Sequence, residues 1–188
     1  MVETAVGGRR RRALPVAVAL VAVGLMAAMV VSGHLRESGS FVRFKPAGVM
    51  PETPDQIDHV ELRAGGRRWE FVRGPGGWRL PSGPGPVPAA LVSHLDSSIR
   101  FMHVAAPVRV MARAEWAEQG LREFGLDPPG YVATLYHGGQ AVLRAGFGAP
   151  IPQKVLQYMR LQGRDELYLM PRFIGEEWEH VLKGATGS

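Results

Sequence analysis

The sequence predicts an α+β fold: antiparallel β-meanders packed with three helices, preceded by one N-terminal transmembrane helix. Three observations carry this. Apolar and polar side chains alternate in two stretches punctuated by glycine turns. Apolar residues recur at spacings of three and four in the segments that follow. An uncharged run of 20 residues, Ala13 to Ser32, stands directly behind Arg9-Arg10-Arg11-Arg12.

The uncharged run comes first in the chain. At about 1.5 Å of rise per residue it covers roughly 30 Å as a helix, the thickness of a bilayer's hydrocarbon core. Pro15 falls in the first turn, where its missing N–H costs little. Val31-Ser32-Gly33 is a poor cleavage site, which favours an uncleaved signal anchor over residues 13–33; a cleaved signal peptide is the competing reading. The four arginines place residues 1–12 in the cytoplasm as a basic tail. In a bacterium the protein is then a single-pass inner-membrane protein with its C-terminal part in the periplasm.

That placement changes the meaning of the charge. The 188 residues carry 22 Lys+Arg and 17 Asp+Glu, a net charge of +5. Beyond residue 33 the balance is 18 basic to 16 acidic, or +2. Most of the basicity is therefore a topology signal. A nucleic-acid partner is not expected outside the cytoplasm. At 46% hydrophobic residues the chain is too apolar for disorder. The absence of cysteine removes disulfides, thiolate metal sites and cysteine nucleophiles.

Residues 34–56 read as a stalk, broken by Gly39, Pro46, Gly48, Pro51 and Pro54. A periplasmic domain follows over 57–183, with 184–188 as a flexible tail. Ile57, Val60 and Leu62 open a strand that ends at Gly65-Gly66. Arg67 to Arg73 form a second, with Trp69 and Phe71 on one face. Gly74-Pro75-Gly76-Gly77 turns the chain into a third strand, Trp78-Arg79-Leu80. Pro88 opens a helix whose apolar stripe is Leu91, Leu95, Ile99 and Met102. A second helix is expected over Arg113–Phe124, ended by Gly125. Strands then follow over Tyr131–Tyr136 and Gln140–Phe147, and over Leu156–Gln162 and Glu166–Met170. Pro171 begins the last helix, with Ile174, Trp178, Val181 and Leu182 on one side.

The strand pair before Gly77-Trp78-Arg79-Leu80 is one recognisable feature. Another is Phe124-Gly125-Leu126-Asp127-Pro128-Pro129 leading into a strand, and a third is Tyr158-Met159-Arg160 through Leu167-Tyr168-Leu169. Together these resemble a bacterial family described as domain of unknown function 4340, over about Ile57 to Leu182. The resemblance implies an N-terminal membrane anchor and, for some members, a link to gliding-type transporter components. Many members repeat the module, whereas this chain has one copy. The resemblance implies no catalytic residue. The turn Gly125-Leu126-Asp127-Pro128 reads as structural, with Asp127 bonding backbone N–H groups past the prolines.

Chemistry is sparsely signalled. The six histidines have no metal-type spacing, and the serines lack a nucleophile elbow or an S-x-x-K pattern. No catalytic, metal or cofactor-binding residue is expected. The surface singled out for a partner is Arg67, Arg68, Arg73 and Arg79, where arginine stands beside Trp69 and Trp78. The expected function is a non-enzymatic, membrane-anchored binding or scaffold module assisting an envelope complex, a transporter or maturation system, through a membrane-protein partner. The alternative is a periplasmic hydrolase that would gather carboxylates such as Asp127 and Asp165. Partner identity and oligomeric state are not readable from the residues.

Overall fold

The computed structural model describes residues 21–26, 47–81 and 87–186. The chain divides into two compact units, Met1–Lys45 and Pro46–Ser188. In the first, residues 21–26 are helical and exposed; the basic tail and the rest of the expected anchor lie outside the described residues. Among the described residues no helix is long and apolar enough to cross a membrane.

In the second unit, period-two alternation produces a single antiparallel sheet. Its strands are β1 (His59–Ala64), β2 (Arg67–Gly74), β3 (Gly77–Arg79), β4 (Arg109–Met111), β5 (Tyr131–His137), β6 (Gln140–Pro150), β7 (Leu156–Leu161) and β8 (Leu167–Pro171). They lie in the order β3-β2-β1-β5-β6-β7-β8-β4. The α+β expectation holds, but the two meanders are not separate. β1 pairs with β5 and fuses them into one sheet.

Register lines up Leu62, Ala133, Ala145 and Leu161 across four strands. Two helices, α1 (Ala89–Val104) and α3 (Arg172–Thr186), cover this apolar face. Leu91, Leu95, Ile99 and Met102 of α1 meet Ile174, Trp178 and Val181 of α3 in the same core as Val60, Phe71 and Phe147. Each such side chain removed from water contributes roughly 1.5–3 kcal/mol. A second, smaller cluster holds Trp116, Phe124, Leu126 and Leu167. Leu167 lies opposite Arg160, so this cluster covers the other face at the β7–β8 end.

The structure departs from the sequence reading in four places. The expected helix Arg113–Phe124 closes after one turn, α2 (Arg113–Trp116). Gly120 then adopts a positive φ of 74°, and turns carry the chain onward. Strand β4 was not expected; three residues are too few to show a period. The compact unit begins at Pro46 rather than Ile57. Met50 is 1% exposed, and the Gly48 and Met50 N–H groups each donate 3.0 Å bonds to the carbonyls of His103 and Met102. The end of the expected stalk thus caps orphan carbonyls at the C-terminus of α1. Finally, α3 runs through Thr186 with Ala185 buried, so the helix enters the segment expected to be a tail.

Candidate functional site

Alternation turns a second set of side chains away from the helices: Glu61, Arg63, Arg68, Glu70, Thr134, Arg144 and Arg160. Glu61 is buried at the centre of this open face. It accepts a 2.6 Å bond from Arg63 Nε and a 3.4 Å bond from Arg68 Nη1. Arg68 also pairs with Glu70 at 2.9 Å. The hydrogen bond donated to Glu61, and then the Glu61 charge, hold the Arg63 guanidinium above its ordinary pKa. These arginines are therefore neutralised within the protein.

The four arginines singled out from the sequence do not form one patch. Arg67 and Arg73 share the helix-bearing face with Trp69 and Phe71, whereas Arg68 points the other way. Arg79 lies opposite Val72 and joins Arg68 on the open face. Arg73 is consumed in packing: it bonds Asp96 at 2.8 Å and lies 4.5 Å from the Trp78 ring centroid. The Trp78 indole N–H donates to the same Asp96 oxygen at 2.8 Å, which ties β2 and β3 to α1. Arg67 lies 5.6 Å from the centroid of Trp69.

A different arginine set is free. Arg144 on β6, Arg160 on β7 and Arg164 just beyond the Gln162-Gly163 turn make no ion pair among the described residues. β-Sheet register assembles them. Arg160 pairs with Gly146, and the Gln162 N–H donates 2.9 Å to the Arg144 carbonyl. Two clefts flank the turn and share Arg144, Leu161, Gln162 and Gly163. The smaller, about 370 Å³, adds Arg160, Gly146, Pro129 and Val132. The larger, about 890 Å³, adds Arg164, Thr134, Tyr136 and Tyr168.

Arg160 is the best-held of the three. Its guanidinium lies 5.9 Å from the Trp116 ring centroid, while its Nε is buried with no acceptor. Trp116 is fixed in turn by an indole N–H bond of 3.2 Å to the Asp165 carbonyl. No spacing in the sequence marks this group: its members lie 16 and 4 residues apart along the chain. Only the β6–β7 register brings them together.

The turn at Gly125-Leu126-Asp127-Pro128 builds one wall. Leu126 and Pro129 line the smaller cleft and form an isolated bridge with each other. Gly125 has φ +65°, and a Cβ there would stand 2.7 Å from the Ala149 nitrogen, so glycine is required. Pro128 follows a cis peptide bond. Asp127 is exposed, and among the described residues its side chain accepts no hydrogen bond, in place of the expected bonds past the prolines. The Ala149 N–H donating 2.9 Å to the Phe124 carbonyl ties this turn to β6 instead.

Asp127 and Asp165 line neither cleft; Asp165 is exposed and 3.3 Å from Arg113. Among the described residues no three His, Asp or Glu side chains gather as a metal site. No family model, curated protein or solved structure matches the chain.

Proposed function

We propose that the chain is a membrane-anchored periplasmic binding module, without catalytic activity of its own, that assists an envelope complex. The arginine run ahead of the uncharged Ala13–Ser32 stretch supports the anchor and its direction. The resemblance to the domain 4340 family implies the same tethered layout, and for some members a link to transporter components. One observation supports binding most: Arg144, Arg160 and Arg164 stand around two clefts and make no ion pair among the described residues. Charge left unpaired beside a concavity is complementary to an anionic partner group.

The hydrolase reading requires a reactive pair in a cleft. Asp127 and Asp165 stand exposed on separate loops, and neither lines a cleft. Binding is the better-supported reading.

The test is co-purification of the full chain from native membranes in mild detergent. A stoichiometric membrane-protein partner that is lost in Arg144→Glu and Arg164→Glu variants is the expected result. Recovery of the chain alone, with its natural neighbours expressed, contradicts the proposal.

A further inference from the structure

We infer that the cleft over Gly146 receives a phosphate-class oxyanion carrying at least two negative charges, a phosphate monoester or a pyrophosphate group. This rests on the binding reading above and names the chemistry of what that site takes. Charge sets the first requirement. Arg144 and Arg160 line the cleft, and Arg164 stands across the Gln162-Gly163 turn. No carboxylate lines either cleft among the described residues, and Glu61 and Asp165 pair with other arginines. A monoanion leaves most of this charge unbalanced.

Hydrogen bonding sets the second. Arg160 lines the cleft, and its guanidinium makes no ion pair among the described residues. An oxyanion lodged beside it accepts charge-assisted bonds from that guanidinium. The guanidinium lies over the Trp116 ring, 5.9 Å from its centroid, which restricts its freedom before binding.

Shape sets the third. The lining includes Gly146, with Pro129 packed 3.4 Å from where a Cβ would stand, and Leu126 and Val132. The volume of about 370 Å³ suits a small ligand. Arg144 and Arg160 approach from adjacent strands, on a diagonal across β6 and β7. A tetrahedral group presents oxygens along several directions and can meet both forks. A planar carboxylate meets one fork in its own plane.

The experiment is calorimetric titration of the full chain in mild detergent with pyrophosphate, inorganic phosphate, glycerol 3-phosphate and citrate. Pyrophosphate is expected to bind at one site per chain. Arg144→Gln and Arg160→Gln are each expected to weaken it about tenfold, while Arg68→Gln leaves it unchanged. Citrate, similar in charge but built of carboxylates, is expected to bind at least about tenfold more weakly. Glycerol 3-phosphate tighter than inorganic phosphate assigns the group to a lipid-type headgroup; the reverse order assigns it to free phosphate. Both orders support the phosphate class.

Citrate as tight as pyrophosphate overturns the inference, as does wild-type affinity in the Arg144→Gln variant. Absence of any binding does the same. Arg144 is exposed and outside the core, so its variant carries the test if Arg160→Gln unfolds. Partner co-purification is read separately. A partner recovered without phosphate binding sinks this inference alone, and phosphate binding without a partner sinks only the scaffold role.

Discussion

The guanidinium of Arg160 lies over the ring of Trp116, 5.9 Å from its centroid, although the two residues belong to different layers of the domain. Trp116 comes from the single turn of α2 and Arg160 from the last residues of β7. Their contact orients a charged group that has no carboxylate partner. A double-mutant cycle with Trp116→Leu and Arg160→Met is expected to show a stabilising coupling of about 0.5–1 kcal/mol in urea unfolding. Trp116→Leu alone is expected to cost about 2 kcal/mol through lost packing. Strict additivity of the two substitutions contradicts the contact.

Beneath α3, Gln157 donates 2.9 Å to the Gly148 carbonyl and accepts 2.8 Å from Arg172. Arg172 also grips both oxygens of Glu179. This network exists because residue 175 is glycine: any Cβ there falls on the Gln157 amide. Gly175→Ala is expected to lower unfolding stability by about 1–3 kcal/mol through overpacking and loss of these bonds. An unchanged denaturation midpoint refutes this role for the glycine.

Tyr131 donates 2.9 Å to the Gly175 carbonyl and stacks on Phe147. Burial, and then the nearby Glu179 charge, push its phenol well above the ordinary tyrosine range. A raised folded pKa keeps this contribution intact below the unfolded value of about 10 and removes it as pH climbs toward the folded value. Tyr131→Phe keeps the ring stack but loses the bond, costing about 1 kcal/mol at neutral pH. Above about pH 10 the gap between the two proteins is expected to narrow in chemical denaturation, because only the wild type loses this term. A constant gap to high pH contradicts it.

Much of the fold is legible in the residues. Alternation at Trp69-Glu70-Phe71 and the stripe Leu91, Leu95, Ile99, Met102 place strands and helices because each encodes a local period. What is not local is hidden. The β1–β5 pairing that joins the two meanders depends on Leu62 meeting Ala133, some 70 residues on. The capping of α1 by Gly48 and Met50 uses backbone groups, which leave no trace in side-chain pattern.

The site divides in the same way. Arg67, Arg68, Arg73 and Arg79 stand out in the sequence because they are neighbours, yet period two sends them to opposite faces. Arg144 and Arg160 are inconspicuous, being separated by the Gly148–Val155 stretch, and only strand register makes them a pair. The turn Gly125-Leu126-Asp127-Pro128 stands out in the residues because glycine and proline act on the backbone, where Gly125 holds φ +65° and Pro128 follows a cis bond.

The central claim is that the binding surface is the arginine group of β6 and β7 rather than the first hairpin. Side-chain Nε–Hε NMR of the full chain during pyrophosphate titration tests it most directly. The account predicts saturating shifts for Arg144, Arg160 and Arg164, with Arg67, Arg68, Arg73 and Arg79 unmoved. Shifts confined to the first-hairpin arginines, or none at any arginine, would contradict it.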